Sequence, residues 1–212
     1  MIPISDSLIR DVLSEYGIGA SADLCDKVRT YVGLLLRWNK KIGLTTVTEP
    51  KEVLQRHFGE SFFAADAAQI EFGRLADVGS GAGFPGLALK LIRSDLEVML
   101  IESNVKKGIF LREVIRELDL HGIEVVSSRA QDIGAELEDV NLVTARAVGY
   151  DAELLGWSRR HLLREGRVVL WLGISGTERV ILKDGWKWEP PILIPHSERR
   201  FLVIGRVVRS TN

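Results

Sequence analysis

From Arg74 onward, apolar runs of strand length alternate with stretches of helical periodicity. The first junction between them, Leu75 to Gly86, is LADVGSGAGFPG, with four glycines, one proline and one acid. Strand-like runs fall at 74–79, 97–102, 123–127, 141–146, 167–173, 187–194 and 200–207, and helical patterns at 84–93, 104–119, 151–164 and 175–184. Strands that alternate with helices need crossover connections, which build a mostly parallel sheet covered by helices on both faces. The expected fold class is α/β: a Rossmann-like, mostly parallel seven-stranded sheet over residues 71–212.

Residues 1–70 read as an N-terminal helical extension. Ser5 is a candidate N-cap for a helix over 5–16, and Ser21 for one carrying DLCDKVRTYVGLLLRWNKKI, whose leucines and valines recur at helical spacing. A third helix starts at Glu49-Pro50, because proline fits a first helical turn. The 212 residues suit one medium domain plus such an extension, and 46% hydrophobic with 27% charged residues is an ordinary globular balance. No apolar run approaches the roughly 20 residues a membrane span needs, and the N-terminus lacks the basic and apolar regions of a signal peptide. Cys25 is the only cysteine, which excludes an internal disulfide and a thiolate metal cluster. These features predict a cytoplasmic protein.

A net charge of −1 does not announce a nucleic-acid binder. The distribution says more, since 19 of the 28 basic residues are arginines and several cluster, as at Arg159, Arg160 and Arg164, at Arg199 and Arg200, and at Arg206 and Arg209. Guanidinium forks match phosphates and base edges, although a solvated surface explains any one cluster equally well.

Ligands of doubly wound sheets bind beyond the carboxyl ends of the strands, where the glycine loop falls. Two registers fit it. Gly81, Gly83 and Gly86 satisfy the dinucleotide pattern GxGxxG, and Asp77, Gly79, Gly81 and Gly83 satisfy the DxGxGxG pattern of S-adenosylmethionine sites. A pyrophosphate wants bare N–H donors and a positive helix end. Asp77 would repel it, Pro85 removes a donor, and no P-loop lysine follows. The same carboxylate suits a ligand with ammonium and sulfonium charges. Glu102, at the end of the second strand, is placed to accept hydrogen bonds from ribose hydroxyls, and Ser128 to Asp132 would lie beside an adenine.

Several chemistries lack their residues. The segment after strand four is TARAVGY, without the Asn/Asp-Pro-Pro-aromatic signature of amino-group methylases or a cysteine nucleophile for cytosine C5. Tyr150 has Leu154 where a short-chain dehydrogenase needs lysine, and no His/Asp/Glu cluster has metal spacing, so no metal is expected. Arg146, at the end of strand four, could hold a phosphate or the N7/O6 edge of guanine, or form a structural ion pair.

Together LLRWNKKIGLTTVTEP, RHFGES, DVGSGAGFPG, LIESNVKKGIFLREV, SSRAQD, TARAV and SERRFLVI resemble the RsmG/GidB family (glucose-inhibited division protein B), over nearly the whole chain. The resemblance implies a class I methyltransferase that moves a methyl group from S-adenosylmethionine to guanine N7 in the decoding-region loop of 16S rRNA. It implies 16S rRNA or the small subunit as partner. Oligomeric state is left open by the sequence, and a monomer is expected. Carried onto this sequence, it implies cofactor contacts from Asp77, Gly79, Ser80, Gly81, Gly83, Phe84, Glu102, Ser103, Ala130, Gln131 and Arg146. It implies catalytic roles for Arg146, His57 and Asn39, and RNA contacts from Lys106, Lys107, Arg129, Arg199 and Arg200. His57 could equally be a packing residue, and Asn39 a helix C-cap.

Two places depart from the family. The fifth strand ends in VVLWLGIS, with Leu172 where an Ala-Leu-Lys-Gly segment has lysine, and Gly43-Leu44-Thr45 stands for Asn-Leu-Thr. The alternative reading is a protein that binds S-adenosylmethionine or RNA and has lost methyl transfer. A nicotinamide-dependent oxidoreductase rests on GxGxxG alone.

Overall fold

Ser5 and Ser21 cap the first two helices, accepting hydrogen bonds from the Leu8 and Leu24 amides at 3.2 and 3.1 Å. The helices are α1 (Asp6–Ser14) and α2 (Ala22–Ile42). The computed structural model describes residues 4–134, 139–146 and 151–209, so Ala147, Val148 and Tyr150 of the TARAVGY stretch lie outside the described residues. The expected third helix is three pieces: α3 (Pro50–Val53), a π-helical turn (Leu54–Gly59) and α4 (Glu60–Ala67). The wide turn carries Arg56 and His57, and such π segments recur at functional sites.

The second part alternates as expected: β1 (Gly73–Val78), α5 (Gly86–Ile92), β2 (Leu96–Ile101), α6 (Val105–Glu117), β3 (Ile123–Val126), a short 3₁₀ turn (Ala130–Asp132), β4 (Val140–Arg146), α7 (Asp151–His161), β5 (Leu162–Gly173), α8 (Ile174–Val180), β6 (Trp186–Trp188), β7 (Ile192–Leu193) and β8 (Arg200–Val207). Strand order is β3-β2-β1-β4-β5-β8-β6, with β7 beside β8. β1 to β5 are parallel, and β8 runs antiparallel to β5, β6 and β7. The sheet has eight strands rather than seven, because Pro190 and Pro191 split the expected strand 187–194 into β6 and β7. Proline lacks the N–H that a ladder requires.

Alternating strand residues enter two cores. Leu75, Val98, Leu142, Val169 and Leu202 face α5, α6 and the N-terminal helices, in one cluster with Ile9, Tyr31, Phe58 and Phe62. Ala76, Ile101, Val143, Val168 and Val203 face α7 and α8, packing with Leu155, Trp157 and Val180. The N-terminal helices therefore form part of one layer over the sheet, where burial of each large apolar side chain contributes about 1.5–3 kcal/mol. The chain runs outward from β1 through β2 to β3, then crosses back to place β4 on the other side of β1. That switch point opens a crevice at the carboxyl ends of the strands. Among the described residues, no helix is long and apolar enough to cross a membrane.

Candidate functional site

Beyond β1 and β2 lies a cleft of about 500 Å³. Val78, Gly79, Ile101, Glu102, Ser103, Ser128, Arg129, Ala130, Gln131, Glu153, Leu154 and Trp157 line it. The volume suits a ligand of nucleoside size. Of the residues expected at a cofactor site, Gly79, Glu102, Ser103, Ala130 and Gln131 are brought together here, joined by Arg129. Glu102 marks where the cleft meets the loop. One carboxylate oxygen accepts the Gly81 N–H at 2.9 Å and the other the Asn104 N–H at 2.7 Å. A carboxylate has about four acceptor positions, so capacity remains for two hydroxyl donors.

The structure turns other expected contact residues inward. Asp77 is 1% exposed, and its oxygens accept the Thr144 hydroxyl at 2.7 Å and the Gly86 N–H at 3.2 Å. Parallel pairing puts Asp77 opposite Thr144, which brings the hydroxyl within reach. Gly86 permits this approach, since a Cβ there would lie 2.6 Å from the Asp77 Cβ. Burial pushes the Asp77 carboxyl up to about 6, against the Thr144 and Gly86 hydrogen bonds, which favour its charged form. Asp77 thus ties the loop to its strand and helix, and the cationic-ligand argument drawn from its charge does not describe its position. Ser80, also buried, donates to the Asp77 carbonyl at 2.8 Å. Phe84 stacks on Tyr31 and on His57, with ring centroids 5.1 and 4.7 Å apart, instead of facing the cleft. Gly83 lies against Tyr31.

The residues expected to be catalytic gather beside the loop. Asn39 accepts the Leu44 and Thr45 amides at 2.7 and 2.8 Å and donates to the Thr45 carbonyl at 2.8 Å, so its amide holds the turn that ends α2. The Thr45 hydroxyl pairs with His57 Nε2 at 2.9 Å. Burial, then the charges of Arg146 and Arg56, lower the His57 imidazole to about 3, so it is neutral near pH 7. Its Nδ1 is buried without a hydrogen-bond partner among the described residues. Asn39, Thr45 and His57 thus form a polar chain that ends on Phe84.

Arg146 leaves the end of β4 and turns towards the N-terminal helices. It donates to the Arg56 carbonyl at 2.6 Å and lies 3.2 Å from Glu60, which also accepts from Arg200 Nε at 2.8 Å. Glu60 is 1% exposed, so one buried carboxylate binds two guanidinium groups. The ion pair open as an alternative for Arg146 is present, and Arg146 is not among the cleft-lining residues. Of the residues expected at RNA, Lys106, Arg129 and Arg199 are exposed, Lys107 is half-buried, and Arg200 is taken up by Glu60. Leu172 also lies outside the cleft lining, packed against the second core and beside Gly176, so the reading of lost activity finds no support there. Among the described residues no group of three or more potential ligands could hold a metal.

Sequence reasoning did not single out Tyr31, Glu60, Thr144, Glu153 or Trp157. Glu60 stands within RHFGES, where an acid in an apolar helix was the available signal. Tyr31 was hidden in a helical apolar pattern.

Residues 24–183 match the family described as rRNA small subunit methyltransferase G, GidB. The chain belongs to this family. A methyltransferase G from Desulfitobacterium hafniense is 35% identical over 185 residues, covering 85% of this chain and 77% of the relative. One from Xanthomonas axonopodis pv. citri is 39% identical over 83% of this chain and 84% of the relative. One from Syntrophotalea carbinolica is 30% identical over 93% and 96%. A SAM dependent methyltransferase from Aquifex aeolicus superposes with a TM-score of 0.61 at 16% identity, over 76% of this chain and 94% of its own. TrmN from Thermus thermophilus gives 0.60 at 16%, over 73% and 53%. At these identities the structural likeness carries the fold, which is that of Rossmann-like methyltransferases.

Proposed function

We propose that this methyltransferase G family member transfers a methyl group from S-adenosylmethionine to N7 of one guanine in the decoding-region loop of 16S rRNA, acting on the rRNA or the small subunit in the cytoplasm. The carrying observation is Glu102, pinned by the Gly81 and Asn104 amides at the mouth of a nucleoside-sized cleft. The donor set fits: Gly79 of the glycine loop, a carboxylate with acceptor capacity left, and the Ala130–Gln131 turn all line one cleft. When bound, S-adenosylmethionine supplies an electrophilic methyl group. Glu102 accepts the ribose hydroxyls, and Ala130 and Gln131 flank the adenine. Asp77 fixes the loop from beneath.

Guanine N7 carries a lone pair and no proton, so no general base is needed. That agrees with a neutral His57 whose imidazole is held down at about 3. In-line displacement then depends on orientation, which can supply roughly 7–11 kcal/mol. Arg146 retains N–H groups beyond those given to Glu60 and Arg56, and we assign them to the acceptor edge of the guanine. Lys106, Lys107, Arg129 and Arg199 take phosphates.

The test is incubation with methyl-labelled S-adenosylmethionine and small subunits or 16S rRNA lacking the modification, followed by cleavage at N7-methylguanosine. Label at a single guanine of the decoding-region loop is expected. Cofactor binding without label overturns the acceptor, and absence of both overturns the cofactor.

A further inference from the structure

We infer that Tyr31, on α2, is a positioning residue for the glycine loop, which makes the N-terminal helices part of the cofactor site. Its hydroxyl donates to the Ala82 carbonyl at 2.6 Å, between two loop glycines and far away in sequence. The neighbouring Gly83 has a φ of +88°, and a Cβ there would overlap the Tyr31 hydroxyl. The absent side chain of Gly83 is thus filled by Tyr31 from another element. The Tyr31 ring also stacks on Phe84, 9° from parallel, and Phe84 stacks in turn on His57. Three consecutive loop residues, Ala82, Gly83 and Phe84, therefore rest on one fully buried side chain.

The opposite side of the same loop faces the ligand. Gly81, one residue before Ala82, gives its N–H to Glu102, and Gly79 lines the cleft. A shift at Ala82 moves the Gly81 amide and with it Glu102, the carboxylate assigned to the ribose. Burial, reinforced by the charge of Asp77, holds the Tyr31 hydroxyl well above its ordinary value, so the group remains a donor at working pH. The inference rests on the reading of this cleft as the S-adenosylmethionine site.

Tyr31→Phe keeps the ring and its stacking and removes one hydroxyl. Titration with S-adenosylhomocysteine should show affinity weakened roughly fivefold, the effect of one hydrogen bond of about 1 kcal/mol. KM for S-adenosylmethionine should rise similarly, while kcat at saturation and affinity for 16S rRNA stay within twofold. Gly83→Ala supplies a second, independent reading. Its loss of cofactor affinity should be smaller in the Tyr31→Phe background than in the parent, because the hydroxyl that blocks the new methyl group is gone. Unchanged cofactor affinity in Tyr31→Phe with a lowered melting temperature would make Tyr31 a packing residue and overturn the inference, as would strict additivity of the two changes. Failure of the parent protein to bind S-adenosylhomocysteine would instead overturn the assignment of the cleft itself.

Discussion

The cleft beyond β2 and the charged cluster beside it are neighbours made of different materials. The cleft is built from the ends of β1 and β2, one short turn and part of α7, with Glu102 as its charged contact to the loop. The cluster is side chains: Glu60 pairs with Arg146 and Arg200, Arg146 also donates to the Arg56 carbonyl, and His57 beside them pairs with the Thr45 hydroxyl. The cleft leaves acceptor capacity for a ligand. The cluster is mostly paired, with some Arg146 N–H groups left over, and its residues come from a helix, the π-helical turn and two strands. A site whose groups are open contributes to binding, and one whose groups are paired contributes first to stability. That contrast separates the expected effects of mutation.

The largest effect should fall on the cluster. Glu60→Ala removes the buried carboxylate shared by the half-buried Arg146 and Arg200, and should cost about 3 kcal/mol in urea unfolding. A loss below about 1 kcal/mol would show that the cluster is not a stability element. Acid sharpens the same point. In the fold His57 takes up a proton only near 3, whereas the unfolded chain does so near 6.5, so its contribution is intact above 6.5 and declines as pH falls towards 3. Asp77, raised to about 6, acts in the opposite sense between 6 and 3.8, so the informative quantity is wild type against His57→Phe. The variant should remove about 1.4 kcal/mol per pH unit of acid destabilisation within the His57 window. Parallel pH profiles would contradict a buried neutral imidazole.

On the cleft side ligand binding takes the larger effect. Glu102→Ala should weaken S-adenosylhomocysteine binding about tenfold, the measure of one charge-assisted acceptor, with an unfolding loss of about 1–3 kcal/mol as the Gly81 and Asn104 amides lose their acceptor, smaller than that of Glu60→Ala. A variant that loses stability but keeps affinity would erase the distinction between the two regions. The smallest effect belongs to Arg199, exposed and outside both regions. Arg199→Ala should leave unfolding within about 0.5 kcal/mol and reduce the magnitude of the log–log salt slope of 16S rRNA binding by roughly one. An unchanged slope would remove Arg199 from the RNA surface.

Legibility followed the same division. The alternation from Arg74 onward and the glycine stretch located the cleft, because strand ends and a loop between them are local properties of the chain. Glu102 was placed by its spacing from that loop, and Ala130 and Gln131 by the turn that follows the third strand; all three line the cleft. The split of strand 187–194 was written in Pro190 and Pro191, which remove two ladder donors. The orientation of Asp77 was not legible. Its motif position is the same whether the carboxylate faces a ligand or Thr144, and the pairing of β1 with β4 decides between them.

By itself, then, the chain's order of residues determined a doubly wound sheet, a glycine loop at its switch point and an acid one strand away. Hydrophobic period and backbone sterics act over a few residues and leave their mark in the sequence. Tertiary structure alone decided that Glu60 binds Arg146 and Arg200, that His57 is neutral, and that Tyr31 fills the space Gly83 leaves. Each is a contact between distant segments, and a buried charge or hydroxyl takes its meaning from the partner that folding brings to it.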